Sequence, residues 1–467
     1  MKITFHGATQ TVTGSKHLIT LGNGKNILLD CGMYQGLGTD TPELNCNFGF
    51  NPKDINYVVL SHAHIDHSGL IPKLVNEGFN GRIFGTPATL DLTEILLLNS
   101  AHIQETDTAY INKIRRKENK KPVKPLYSNE DVKNALPLFE PVEYKIPYRV
   151  DDDIEIRLFD AGHIIGSATV VLKLKENNKT TTIAFSGDVG RYGDPILNSP
   201  QRFPQADYII IESTYGNKLH DDVESYSNVL KKHIIQTCIE KGGKLIIPAF
   251  SVGRTQELLF ALNELELNGE LPCLEYFVDS PLSIEATEVV KKHKQYLNKN
   301  VQKLFLSDND VFDFKGLRYV KDVEESKKLN TKKEPCVIIS ASGMADAGRV
   351  KHHIANSIHE KRNTILIVGY CEPHSLGARL RQHPDEVGIF GEKFQVKADI
   401  EEINSMSAHA DYGDLAQYLA CQDYSLIKNI FIVHGEPEVQ QNFRKRLIKK
   451  GFYDVTIPEL HQSFGLK

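Results

Sequence analysis

The chain opens with short apolar runs broken by glycine. Ile3–His6, His17–Leu21, Asn26–Asp30 and Tyr57–Leu60 read as strands, with glycines at 7, 14, 22, 24 and 32 as the breaks. After residue 68 the period changes. SGLIPKLVNEG and then 88–116 carry the spacing of helices. Extended runs return at Ile154–Phe159, Thr169–Leu174, Thr180–Phe185 and Tyr208–Ile211. Beyond residue 215 strand and helix alternate. Lys244–Ala249 precedes a helix opening near Arg254, and Tyr276–Asp279 precedes another after Pro281. Cys336–Ser340 and Thr364–Gly369 each precede a glycine-containing turn and helical patterning. Such alternation predicts βα units on a mostly parallel sheet. From Asn404 the pattern predicts a helix, the strand Asn429–His434 and a helix ending in basic residues. The middle therefore reads as a second α/β domain, with the tail returning to the first.

Length agrees with that division: 467 residues are two or three domains at roughly 100–200 residues each. An apolar fraction of 40% and a charged fraction of 25% exclude a disordered or fibrous chain. No apolar run approaches the ~18 residues of a membrane span. MKITFHGATQ reads as a strand and lacks the apolar core of a signal peptide, so a cytoplasmic protein is expected. Seven cysteines without a C-x-x-C pair fit reduced thiols and not a disulfide framework. A net charge of −5 argues against a broadly basic nucleic-acid binder but leaves room for a local positive field, since bound cations do not enter that count.

The chemistry concentrates in YVVLSHAHIDHSG (57–69). Four apolar residues make a buried strand, and the polar cluster follows at its C-terminal end. His62 and His64 are two apart and project to one side of an extended segment, while Asp66 and His67 turn into a helix. Four potential ligands in six residues suffice for two metals if each pair faces a different one. Imidazole with carboxylate suits zinc, with manganese or iron as lesser choices. Further candidates end other strands: His163 in DAGHIIGSA, Asp188 in FSGDVG and His434 in FIVHGE. Asp30 ends ILLD and is cast as the acceptor that orients a ligand histidine.

In that order, Asp30, His62/His64/Asp66/His67, His163 and Asp188 resemble the metallo-β-lactamase superfamily. The second half narrows the resemblance. Glu212 in IIIESTYG, PAFSVGRTQELL (248–259), ISASGMADAGRVKHH (339–353), SMSAHAD (405–411) and HGE (434–436) are similar to the β-CASP nucleases. That family implies an α/β fold, an αββα metallo-β-lactamase sandwich with an inserted α/β β-CASP domain. The expected division is 1–212, then 213–395 as the insertion, then 396–467 completing the sandwich. Glu212, His409 and His434 fall on the family's motifs A, B and C. His434 favours RNA, because DNA-processing members commonly carry valine there. VGYCEPHSLGARL and ADAG depart from the family pattern. No appended RNA-binding or dimerisation domain is expected, and Ser407-Ala408-His409 weakens any expectation of 5′-monophosphate sensing.

The resemblance further implies two zinc ions, or manganese, with His62, His64 and His163 on one, Asp66, His67 and His434 on the other, and Asp188 bridging. It implies a ribonuclease in which an activated hydroxide leaves a 5′ phosphate and a 3′ hydroxyl. His409 is the expected general acid and Glu212 its partner. Ser251, Arg254, Ser342, Gly343 and Arg349 lie in turns after strands and are expected to hold phosphate. Single-stranded RNA is the expected partner, with a homodimer left open. Lys113–Lys124 holds seven basic residues and one acidic one and reads as a solvated loop ahead of an RNA contact. Two rivals stand beside this reading: another hydrolase on the same metal core, and an RNA-binding scaffold without catalysis.

Overall fold

The structure, a computed structural model, describes the chain apart from residues 221–225, 370, 373 and 404–406, and apart from the side chains at 39 and 226. Ser405 and Met406 of the SMSAHAD motif, and positions 370 and 373 of VGYCEPHSLGARL, therefore lie outside the described residues. The described chain forms two compact units, Met1–Leu219 with His409–Lys467, and His220–Ala408.

The first unit is built on two seven-stranded sheets. One runs in the order Ser463–Gly465, Lys2–Phe5, His17–Thr20, Asn26–Leu29, Tyr57–Val59, Arg82–Gly85, Phe139–Pro141. The other runs Val455–Thr456, Asn429–Ile432, Tyr208–Ile211, Lys179–Phe185, Ala168–Glu176, Ile154–Asp160, Tyr148–Arg149. Side-chain alternation makes the layers. Ile27 and Leu29 join the core shared with Val170, Leu172 and Ile210 of the other sheet. Leu28, between them, faces Ile71, Leu74 and Leu97 of the helices outside. On the far sheet Ile209 and Ile211 turn outward to Leu415, Tyr418 and Phe443 of the helices Tyr412–Leu419 and Pro437–Lys449. Helix, sheet, sheet, helix is thus the observed layering, the αββα sandwich.

Strand direction then decides where function sits. Asn26–Leu29, Tyr57–Val59 and Arg82–Gly85 pair in parallel, as do Lys179–Phe185, Tyr208–Ile211 and Asn429–Ile432. Parallel neighbours end at the same edge, so the residues that follow them collect there.

The second unit carries a six-stranded, all-parallel sheet in the order Leu317–Tyr319, Glu275–Val278, Cys336–Ser340, Lys244–Pro248, Thr364–Val368, Asp399–Ile403. Helices such as Arg254–Leu267, Pro281–Lys292 and Arg349–Ser357 connect its strands. Asp399–Ile403 is an edge strand of this sheet, and Glu386–Ile389 with Glu392–Gln395 forms a separate hairpin. The patterning missed these, as it missed Arg82–Gly85, Phe139–Pro141, Tyr148–Arg149 and Ser463–Gly465. Two to five residues are too few to display a period.

Among the described residues no helix is long and apolar enough to cross a membrane. All seven cysteines are free thiols.

Phe5 joins the parts of the sandwich. It is fully buried, and its ring centroid lies 5.0 Å from that of Phe431 on the opposite sheet and 6.0 Å from that of Phe464. Phe5→Ala is expected to destabilise the first unit by about 3–5 kcal/mol. Chemical denaturation of the variant checks this, and a loss under about 1 kcal/mol would contradict the packing.

Candidate metal centre

The strand Tyr57–Val59 ends at Leu60, and Ser61 begins the polar loop. That loop is pinned by its backbone. Cys31 N–H donates to His67 O at 2.7 Å, Met33 N–H to Ile65 O at 2.9 Å and Ser15 N–H to Asp66 O at 2.8 Å. Gly32 must be glycine for this approach, since a Cβ there would collide with the Asp66 carbonyl oxygen. Lys16 braces the other side. Its Nζ is buried and donates to Gly14 O and Gly32 O at 2.8 Å each, above the Tyr34 ring. Burial lowers its pKa to about 7.

The structure brings the seven candidate ligands into one pocket. One donor atom from each of His62, His64, His163 and Asp188 lies within 4.8 Å of the others, and the same holds for Asp66, His67 and His434. Asp188 reaches both sets. Its Oδ2 is 3.4 Å from His62 Nε2 and its Oδ1 3.3 Å from His67 Nε2. Yet among the described residues no group gives the buried Asp188 Oδ1 a well-aligned hydrogen bond. A carboxylate oxygen in that state is costly unless something positive meets it. Imidazole nitrogens and carboxylate oxygens at this spacing are a donor set for divalent cations, so the residues fit the metal that the donor chemistry implies.

Proton competition tells the same story. Burial and the neighbouring His67 push His62 well below its ordinary pKa, and burial lowers His64. His67 goes the other way: burial opposes its charge, but Asp188, Asp66 and Asp30 raise it well above normal. Burial would raise Asp188, but His434, His67 and His62 hold it well below the usual carboxylate range. Asp66 sits at about 2, burial being outweighed by His67 and His434. Cations compete with protons for the same lone pairs.

Behind the pocket, Asp30 Oδ2 accepts from His67 Nδ1 at 2.6 Å and from Ser61 Oγ at 2.7 Å, and Oδ1 accepts from Ser61 N–H at 2.7 Å. With Nδ1 engaged there, Nε2 of His67 faces the pocket. Sequence reasoning missed Ser61, and also Thr214, whose hydroxyl lies 3.1 Å from His434 Nδ1. Thr214 stands in the ESTYG motif beside Glu212, which was the available signal. Both Asp30 and His434 adopt positive φ, 57° and 50°, at a cost of about 1–2 kcal/mol each for residues with a Cβ.

Glu212 is buried and accepts from Val189 N–H at 2.7 Å and Thr214 N–H at 3.2 Å. It also holds His409 Nδ1 at 3.2 Å. Ala410 N–H donates to Val189 O at 2.8 Å and places His409 there, with its ring 4.6 Å from that of His163. Burial lowers the His409 imidazole, but Glu212, joined by Asp188 and Asp66, more than offsets it and the net pKa rises to about 9.

The remaining candidates lie in the second unit. Ser251, and Ser342 with Gly343, follow the parallel strands Lys244–Pro248 and Cys336–Ser340. Gly343 is buried against Phe250, so those two turns touch. Arg254 is buried and paired with Glu257. Arg349 Nη1 meets the buried Asp279 at 2.6 Å, and its Nη2 donates to Lys321 O at 2.7 Å. The structure thus gives both arginines internal partners.

Comparison with known proteins agrees with this geometry. Residues 14–221 match the metallo-beta-lactamase superfamily, 255–380 the Beta-Casp domain and 393–458 the Zn-dependent metallo-hydrolase RNA specificity domain. Ribonuclease TTHA0252 of Thermus thermophilus is 33% identical over 97% of this chain and 97% of its own length. This chain belongs to the β-CASP family of the metallo-β-lactamase superfamily. A probable RNase of Methanocaldococcus jannaschii is 30% identical over the whole of both chains. The transcription termination factor FttA of Methanosarcina mazei is 28% identical over 96% of this chain and 69% of its own length.

As a β-CASP protein the chain binds divalent metal, and the tuning of that site is testable through Asp30. Asp30→Asn keeps the size of the side chain but removes the charge behind His67. It is expected to weaken metal affinity about 10–100-fold. Calorimetric titration of the metal-stripped chain reads this directly, and unchanged affinity would exclude the orienting role.

Proposed function

We propose that this protein is a metal-dependent ribonuclease that hydrolyses single-stranded RNA to 5′-phosphate and 3′-hydroxyl products. What carries the reading is one conjunction. Two donor sets share Asp188, and the Glu212–His409 pair stands beside them. Two divalent cations, zinc first and manganese as substitute, suit that donor set and when bound supply Lewis acidity toward a phosphodiester and toward water. In this reading His62, His64 and His163 hold one, Asp66, His67 and His434 the other, and Asp188 serves both. The relatives named ribonucleases support RNA as the substrate.

The chain's own residues then divide the work. Asp30 and Thr214 fix the rings of His67 and His434. Glu212 orients His409 through Nδ1 and favours its charged form. His409 gives a proton from Nε2 to the departing 3′ oxygen, which would otherwise leave as an alkoxide. Ser251, Ser342 and Gly343 are assigned to the turns that meet the RNA backbone. Arg254 and Arg349 are assigned to bracing those turns from Glu257 and Asp279.

End-labelled single-stranded RNA tests the reading. Wild-type protein should cleave it, with 5′-phosphate ends, and a chelator should stop the reaction. Asp188→Ala should abolish cleavage, and His409→Ala should slow it by about 10²–10⁴. Full activity in Asp188→Ala, or products ending in 3′ phosphate, would refute the mechanism.

A further inference from the structure

We infer that the outer half of the helix Pro87–Lys117, with the segment 118–127 folded back on it, is an arm that grips RNA away from the metal centre. The inference rests on the ribonuclease reading above and adds a second contact to it. The helix starts at the centre. Thr86 and Thr89 hydroxyls both donate to Gly166 O, at 2.7 and 2.8 Å, in the loop that carries His163. It stays packed on the body as far as Ala101. Beyond that point Ile103, Tyr110, Ile111 and Ile114 are exposed, Tyr110 by 66%. They fall on one side of the helix at i, i+7, i+8 and i+11. Lys113 and Lys117 border that side on one flank and Arg115 on the other, with Asp107 as the acid within it.

The arm is a tied structure and not a loose loop. Asn112 exchanges two hydrogen bonds with Val123, at 2.9 and 2.8 Å, and Arg115 Nε donates to Lys121 O at 2.6 Å. Its one acid between 113 and 124, Glu118, is paired with Lys120 at 2.9 Å. Among the described residues Lys113, Arg115, Arg116, Lys117, Lys121 and Lys124 make no ion pair. Six like charges held on one projection repel each other, in a chain whose net charge is −5. A polyanion relieves that repulsion. Cations beside an exposed aromatic ring are the means by which single strands are held without regard to sequence, the phosphates on charge and a base on the ring. At 1.5 Å per residue, Tyr110 lies about 32 Å along the helix from Thr89, so only a long strand reaches both arm and centre.

The experiment measures RNA cleavage by the metal-loaded full chain at several salt concentrations. The substrates are a long unstructured RNA and the small diester bis(p-nitrophenyl) phosphate. The variants are Tyr110→Ala and the combined K113A/K117A/K121A/K124A, all at exposed positions. The expected result is a KM for long RNA raised about 5-fold or more by Tyr110→Ala. The combined variant should raise it further and lower the salt slope of RNA binding by roughly 3, for four phosphate contacts on a single strand. In both, the ratio of kcat/KM on long RNA to that on the small diester should fall. An unchanged KM and salt slope overturns the arm alone. So does an Ile114→Ser change that splits a dimer while RNA kinetics stay the same, since the face would then be a contact between copies. If the wild-type chain hydrolyses the diester but never RNA, the ribonuclease reading falls first and the arm with it.

Discussion

Asp188 Oδ1, buried among imidazole nitrogens and without a well-aligned hydrogen bond among the described residues, is the point on which the first unit turns. An oxygen in that position is tolerable only where positive charge converges on it. The residues that meet in this pocket come from the ends of strands. His62 through His67 follow Tyr57–Val59, Asp188 follows Lys179–Phe185, Glu212 follows Tyr208–Ile211 and His434 follows Asn429–Ile432. Parallel pairing brings such ends to one edge, and the core between the sheets holds both edges in register. The site is therefore a consequence of strand direction, and the hydrophobic alternation that builds the sandwich also aims the ligands.

The second dependence is the return of the chain. Glu212 and His409 are 197 residues apart in sequence, yet their side chains meet at 3.2 Å. The return is local and firm. Asp411 caps the helix Tyr412–Leu419 through the backbone of Gly413 and Asp414, and Asp414 closes the capping box. Ala410 is anchored to Val189, the neighbour of Asp188. The position of His409 is thus set within two residues by a helix start on one side and the metal loop on the other.

How much of this was legible depends on what the pattern can encode. Most ligand-bearing strands were visible because they carry at least three consecutive apolar residues before a polar turn, and Ile154–Asp160, ahead of His163, because its apolar residues alternate. So was the strand–helix alternation of the middle of the chain. Edge strands of two to four residues were not visible, nor was the membership of Asp399–Ile403 in the second sheet, because pairing partners leave no local trace. The positive φ of Asp30 and His434 was equally hidden, since neither is glycine. Arg254 and Arg349 show the limit most plainly. Their place after strand-end turns suggested phosphate, but a sequence does not display Glu257 and Asp279 waiting behind them. Ser61 and Thr214 were overlooked for a related reason: a hydroxyl that steadies a histidine looks like any other loop residue.

The metal centre alone does not choose a substrate, for the same donor set serves several kinds of hydrolysis on this fold. The choice turns on the leaving group. A thioester expels a thiolate, which departs at neutral pH without help because a free thiol has a pKa near 8.5. A phosphodiester expels an alkoxide, far more basic, and gains from a proton delivered as the bond breaks. A pair that keeps an imidazole charged close to the metals is therefore of little use to the first reaction and of direct use to the second. Glu212 is fully buried, holds His409 beside His163 and Asp188, and favours the charged imidazole. The chain returns across 197 residues to build that pair, and the pair favours a nucleic-acid backbone over an acyl bond.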